Sequence, residues 1–235
     1  MIHYLIAIYY RIIILINDLF NTSIYKKIKN EYQAIQLGKK HNYVSGSNVY
    51  LGKYLNEKVI IKGFDIFNLY KNEINILNIL NQSNFVPRIL KVSKKYFIEE
   101  YVDGQTFDEY LKENMVSDKI LKQIIEYLDY LYSYKIIHRD IRLENIIINR
   151  ENIKVIDYGC AIKVDNNSFK FPLRVEKTLG EKYKNHEYWD DASSFYNILK
   201  PYVKDDNEFL LEIKKREKRL IYERESWYCF SNSSL

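Results

Sequence analysis

Residues 136–159 read IIHRDIRLENIIINRENIKVIDYG, and the segment HRDIRLEN at His138–Asn145 decides how the rest of the chain is read. Asp140 and Asn145 bracket a polar loop between two apolar stretches. Twelve residues beyond Asn145, Asp157 closes the apolar run IKVID and is followed by Tyr158 and Gly159. The oxygens of Asn145 and Asp157 are hard ligands of the kind Mg²⁺ takes, while a separate carboxylate, Asp140, can orient an attacking hydroxyl. Gly159 allows a sharp backbone turn directly after the last carboxylate. Taken singly, HRD is a tripeptide on a polar loop and VIDYG is a strand end. Together, in this order and with Asn145 between them, they point to chemistry on a nucleotide phosphate.

Working outward from that stretch, Ser117 is a good N-cap for a helix with Ile120, Leu121, Ile124, Ile125, Leu128 and Leu131 on one face. Further upstream, YVSGSNVYLGKY and EKVIIKG alternate from Tyr43 to Gly63, with Gly46 and Gly52 as breaks, and predict two or three strands. Leu69, Ile74, Leu77 and Leu80 space a helix over Phe67–Leu80 that ends before Val86-Pro87. Short strands are expected around Ile89–Val92 and Tyr96–Tyr101, then a turn at Asp103-Gly104. Downstream, a polar stretch over Lys163–Asn185 leads into a helical remainder from Tyr188. A β-rich first half and a helical second half make an α+β, two-lobed arrangement.

Composition sets outer bounds. Hydrophobic residues at 47% and charged residues at 29% exclude a disordered chain. Tyr (23) abounds while Gly (7) and Pro (3) are scarce, which we read as the bias of an AT-rich genome. The net charge of +5 suits a polyanionic cofactor but is too small to argue for nucleic acid, which is not expected as a partner. Cys160 and Cys229 lack metal or redox spacing, so a reducing, cytoplasmic setting is expected. The opening MIHYLIAIYYRIIILINDLF lacks a basic start and a small-residue cleavage site, so it does not read as a signal peptide. Arg11 would lie near a bilayer centre at a cost of roughly 2.5–3.5 kcal/mol. A docked or interfacial helix is therefore expected over residues 1–20, with peripheral membrane contact rather than a span.

The order Asp140, Asn145, Asp157 resembles the protein-kinase superfamily, whose catalytic loop reads H-R-D-x-x-x-x-N and whose metal motif reads D-F-G. The resemblance implies a small β-rich N-lobe and a shortened helical C-lobe. It implies the cofactors ATP and Mg²⁺, with Asp140 as catalytic base and Asn145 and Asp157 as the metal ligands. Tyr158 replaces the family's Phe. Arg142 stands where Ser/Thr kinases usually carry Lys near the transferred phosphate, and its planar fork alters the geometry. VIIK at Val59–Lys62 is similar to the strand whose Lys meets the α- and β-phosphates, and Glu73 fits its helix partner across a short interval. The family's G-x-G-x-x-G is absent. Backbone amides around Gly46, Ser47 and Asn48 in SGSNVYLG would cradle phosphate oxygens, an ordinary hairpin turn being the other reading. FIEEYVDG at Phe97–Gly104 is similar to the inter-lobe hinge, where adenine would bond backbone groups of Glu100 and Val102 with Glu99 at the back of the pocket.

These implications divide the chain into an apolar helix extension (1–30), an N-lobe (31–102) and a C-lobe (103–235). Arg139, and LGEKYKNHEYWDDASS with Gly180, Tyr183 and Glu187, resemble the activation segment and following helix of kinases that act on proteins. Asp190 or Asp191 would bond back to the catalytic loop, the register being open. A Ser/Thr residue of a protein is thus the expected acceptor. The alternatives are a kinase of a small molecule, sugar or lipopolysaccharide core, and a pseudokinase scaffold. Ser168 and Thr178 are candidate phosphorylation sites that would order the segment through Arg139. KDDNEFLLEIKKREKRLIYERE reads as a solvated helix face.

Overall fold

Alternating apolar residues in NVYLGKY and KVIIKG build a hairpin whose two faces meet different neighbours. Strands β2 (Ser47–Tyr54) and β3 (Glu57–Phe64) pair antiparallel from Ser47↔Phe64 to Tyr54↔Glu57. The two residues between them, Leu55 and Asn56, have φ of 51° and 66°. Positive φ at both turn positions gives the twist that a two-residue hairpin needs. The sheet continues through β1 (Ile35–Leu37), β4 (Ile89–Val92) and β5 (Tyr96–Glu100) in the order β1-β2-β3-β5-β4. The computed structural model describes residues 26–37, 47–64, 69–94, 96–164, 188–204 and 206–223.

By contacts the chain divides into two units, residues 1–102 and 103–235. In the first, a helix α1 over residues 26–31 lies on one face of the sheet. Its Ile28, with Tyr32 and Ala34, joins Tyr50, Val59, Ile61, Tyr96 and Ile98 in one buried cluster. The residues that alternate with these, Lys62, Phe97 and Glu99, point to the opposite face. Helix α2 (Leu69–Ile79) carries Glu73 to Lys62 on that face and buries Ile74, Ile76 and Leu77.

Gly52 is no strand break. It sits inside β2 opposite Val59, under the chain that follows α1. A Cβ there would stand 2.9 Å from Ile61 Cδ1, 3.1 Å from the Tyr32 carbonyl oxygen and 3.3 Å from Ala34 Cβ. The residue is glycine because the chain leaving α1 packs directly against the strand.

In the second unit, β6 (Gln105–Thr106) leads into the single turn α3 (Phe107–Tyr110). Helix α4 (Asp118–Ser133) starts at Ser117, whose Oγ accepts from the Ile120 N–H at 3.4 Å. Its buried face is Ile120, Leu121, Ile124, Tyr127, Leu128 and Leu131. Ile125, expected on that face, lies at the edge of the 3.6-residue stripe and is half-buried, and Tyr127 fills the stripe in its place. Strand β7 (Ile136–Ile137) enters the loop at His138 and pairs with β10 (Ile162–Lys163). Strands β8 (Ile146–Asn149) and β9 (Asn152–Val155) form a second hairpin, turned at Arg150 and Glu151, whose φ values are 46° and 64°.

Gln123 of α4 clamps that hairpin. Its Nε2 donates to the Glu151 carbonyl at 2.6 Å, and its Oε1 accepts from the Ile153 N–H at 3.2 Å. Strand β11 (Tyr188–Trp189), helices α5 (Asp191–Leu199) and α6 (Glu208–Lys214), and strand β12 (Tyr222–Glu223) complete the unit. The charged C-terminal run is therefore not one solvated helix. It buries Leu210 and Ile213, then leaves helical geometry, with Lys218 at φ 61°. Arg216 folds back on Asp129 of α4 in a two-pronged pair at 3.0 and 2.7 Å. Among the described residues no helix is long and apolar enough to cross a membrane; residues 1–25 lie outside them.

Gly52→Ala tests the packing of α1 on the sheet. In a strand the change limits the unfolded chain and would stabilise slightly. The overlap with a backbone oxygen outweighs this, at roughly 1–3 kcal/mol, or a melting temperature lower by roughly 2–12 °C. Thermal unfolding checks it, and an unchanged melting point would mean that the chain leaving α1 does not press on this position.

Candidate active site

In the first unit the site residues gather around one ammonium. Lys62 Nζ lies 2.5 Å from Glu73 Oε1 and 3.1 Å from Glu99 Oε1. All three residues are buried, at 8%, 4% and 3% exposure, so the charges interact with little solvent screening. Lys62 also stands over the Phe97 ring, 5.6 Å from its centroid. Backbone pairing places Ser47 opposite Phe64 and Asn48 opposite Gly63 at the start of β2, while Gly46 lies outside the described residues. Glu100 ends β5. Its N–H donates to the Arg88 carbonyl at 2.9 Å, which removes that N–H from the expected adenine contacts. Its carboxylate accepts from Arg88 N and Nε at 3.2 and 3.3 Å. Val102 follows β5, half-buried.

In the second unit the loop after β7 is held from below. Asp191, the first residue of α5, accepts the His138 N–H at 2.6 Å on Oδ2 and the Arg139 N–H at 3.1 Å on Oδ1. That settles the open register: Asp191 reaches the loop. Asp190 instead caps α5, accepting from the Ser193 N–H at 3.2 Å, and its other oxygen accepts the Lys218 N–H at 2.7 Å. Burial pushes the Asp191 carboxyl up to about 7, against the pull of the two N–H bonds.

The imidazole of His138 is fixed at both nitrogens. The Asp140 N–H donates to Nδ1 at 3.3 Å, so Nε2 carries the proton and donates to the Ile156 carbonyl at 3.1 Å. Arg139 takes left-handed geometry at φ 64°, and its Nε donates to the Cys160 carbonyl at 2.7 Å. The loop thereby grips the segment on both sides of Asp157.

Asn145 Nδ2 donates to both the backbone carbonyl and Oδ2 of Asp140, each at 2.9 Å. With its nitrogen so committed, the carboxamide presents Oδ1 as an oxygen donor. The Ile156 N–H donates to the Asn145 carbonyl at 2.9 Å, which ties Asn145 to the residue directly before Asp157. Asp157 is itself left-handed, at φ 67° and ψ 68°, a strained geometry for a residue with a side chain. A carboxamide oxygen and a carboxylate are the kinds of ligand that a hard divalent cation such as Mg²⁺ takes. Arg142 Nε lies 3.6 Å from Asp140 Oδ2, with its side chain about one third exposed.

Tyr158, standing for the family's Phe, keeps the aromatic packing and adds a polar bond. Its ring meets the His138 ring edge-on at 4.6 Å, and its hydroxyl lies 3.0 Å from that of Tyr127. Both tyrosines are fully buried, and burial drives the Tyr127 hydroxyl well above its ordinary pKa. Sequence reading missed Tyr127, whose signal was a tyrosine in the apolar stripe of α4. It also missed the bond from Glu99 to Lys62. Ser168, Thr178, Gly180, Tyr183 and Glu187 lie outside the described residues.

Comparison with known proteins agrees with this geometry. The family model "Protein kinase domain" matches residues 33–185, more than half of the chain. A MAP kinase kinase kinase of Saccharomyces cerevisiae is 32% identical over 49% of this chain and 8% of its own length. A probable serine/threonine-protein kinase of Encephalitozoon cuniculi is 30% identical over 54% of this chain and 27% of its own. The human testis-specific serine/threonine-protein kinase 4 is 28% identical over 62% of this chain and 50% of its own. The chain thus spans at most half of the length of these relatives.

Asp191→Ala would leave two buried N–H groups without their acceptor. At about 1–3 kcal/mol for each such group, the variant should lose roughly 2–6 kcal/mol of stability. Denaturant unfolding of wild type and variant measures the difference. A loss under about 1 kcal/mol would mean that the loop stands without this clamp.

Proposed function

Because the chain belongs to the protein kinase family, we propose that it transfers the γ-phosphate of ATP to a Ser or Thr hydroxyl of a protein. The observation that carries this reading is the pair of hydrogen bonds from Asn145 Nδ2 to Asp140, which fixes the carboxylate and leaves the carboxamide oxygen for a metal. The Ser/Thr acceptor is supported by the names of two relatives, and remains an inference for a chain that spans only part of them.

When bound, ATP supplies the phosphoryl group and Mg²⁺ the charge that shields it. The residues of the chain do the rest. Asp140 would accept a hydrogen bond from the attacking hydroxyl, orient its oxygen and take its proton as the new bond to the γ-phosphorus forms and the bond from that phosphorus to the departing ADP breaks. Asn145 Oδ1 and the Asp157 carboxylate would hold the cation. Lys62 would meet the α- and β-phosphates with its ammonium kept in place by carboxylates. Arg142, beside Asp140, would offer a planar pair of donors to the transferred group. Amides at Ser47 and Asn48 would face phosphate oxygens.

Two variants test the assignment with labelled ATP, Mg²⁺ and a protein mixture, run beside a sugar panel. Asp140→Asn should lower transfer by roughly 10²- to 10⁴-fold while leaving nucleotide affinity within about threefold, since the group acts on the hydroxyl. Near-normal turnover would remove Asp140 from the mechanism. Asp157→Ala should abolish the Mg²⁺-dependent part of ATP binding in calorimetric titration, and equal affinities would place the metal elsewhere. Label appearing only in sugar would replace the protein acceptor with a small molecule.

A further inference from the structure

Lys62 has one carboxylate more than an ion pair needs. Glu73 reaches it from α2, and Glu99 reaches it from β5, the strand hydrogen-bonded to β3. The ladder pairs Ile60 with Glu99 and Lys62 with Phe97. Lys62 and Glu99 are therefore diagonal neighbours on one face of adjacent strands, within reach for long side chains. The two tethers have different mechanical origins. The Glu73 tether moves with a helix, whereas the Glu99 tether is set by sheet register. We propose that Glu99 is a second positioning residue for Lys62, holding its ammonium from the sheet independently of α2.

The charge count says how this behaves. Lys62, Glu73 and Glu99 form a buried set with one positive and two negative charges. Neutralising either carboxylate leaves a matched pair. Neutralising both leaves a buried ammonium with no compensating charge in the set, the costly case. Had Glu73 been the sole partner, its loss alone would produce that state. The sheet thus buffers Lys62 against displacement of α2. Among the groups that face Lys62 are Glu73 from α2 and, from β5, Glu99 and the Phe97 ring.

The test uses the full chain and the variants Glu73→Gln, Glu99→Gln, their double and Glu99→Asp, each checked for folding by its melting curve. The first readout is acetylation of Lys62 by acetic anhydride from pH 7 to 10, measured by mass spectrometry against exposed Lys53. Only the neutral amine reacts, so each lost carboxylate should raise the relative rate of Lys62. We expect about 10-fold for Glu99→Gln near pH 8, and Glu99→Asp within about threefold of wild type. The second readout is kcat/KM for ATP, which rests on the function proposed above. Each Gln variant should retain at least about one tenth of wild-type kcat/KM, and the double should fall at least about 10-fold below the product of the singles. An unchanged Lys62 profile in Glu99→Gln overturns the proposal. So does a Glu73→Gln variant as impaired as the double, or a Glu99→Gln variant with raised kcat/KM, which would make Glu99 a competitor of the phosphates. If wild type transfers no phosphate, the functional reading fails, while the acetylation profile still decides the role of Glu99. If the double does not fold, the singles decide.

Discussion

The second unit depends on two consecutive backbone N–H groups meeting one buried carboxylate. Strand β7 stops at Ile137, and the left-handed Arg139 prevents the strand from running on. The N–H groups of His138 and Arg139 then need acceptors in a place from which water is excluded. Asp191 supplies both. Because those partners are main-chain groups, the bond fixes the path of the loop rather than one side chain. The Asp140 side chain leaves the backbone directly after that fixed point. Asp190 does the opposite work one residue earlier, capping α5 and anchoring the turn at Lys218. Two adjacent carboxylates thereby join the loop, the helix and the C-terminal segment. The like charge of Asp190 raises the Asp191 carboxyl further, and the N–H bonds oppose it.

A second set of bonds carries this order to Asp157. The protonated Nε2 of His138 reaches the Ile156 carbonyl, the Ile156 N–H reaches the Asn145 carbonyl, and Asn145 reaches Asp140. The circuit closes on itself because the Asp140 N–H returns to His138 Nδ1. Each group in it is neutral except the Asp140 carboxylate. Tyr158 and Tyr127 add a buried hydroxyl pair beside this circuit, joining α4 to the residue after Asp157. A phenylalanine at position 158 would leave the Tyr127 hydroxyl buried without that partner.

The elements legible in the sequence are those with a strong period or a local chemical signal. Helix α4 was readable to its cap because Ser117 precedes an apolar stripe, and β3 because VIIK alternates beside charged residues. The loop over His138–Asn145 was readable because His138, Arg139, Asp140 and Asn145 have meaning by type and spacing. The pieces that escaped are short or settled by tertiary contact. Strands β7, β10, β11 and β12 have two residues each, too few for a period of two to show. Gly52 looked like a break because a sequence does not show the chain that crosses above it. Asp190 and Asp191 differ only in direction, which helix phase decides. Glu99 was read as a pocket wall, since its bond to Lys62 depends on a cross-strand register that no local pattern reveals.

The two units treat their key charges in opposite ways, and the chemistry asked of each explains why. Lys62 is held by ion pairs to two buried carboxylates. That suits a group whose proposed work is to attract phosphate oxygens. Asp140 accepts a hydrogen bond from an amide, a neutral donor that aims a carboxylate without cancelling its charge. Arg142 lies 3.6 Å from the same oxygen and is partly exposed, so its field is screened. A short ion pair in that position would occupy the oxygen proposed to take a proton and weaken its basicity. Exchanging the two arrangements would give a lysine free to wander and an aspartate too well neutralised to accept a proton.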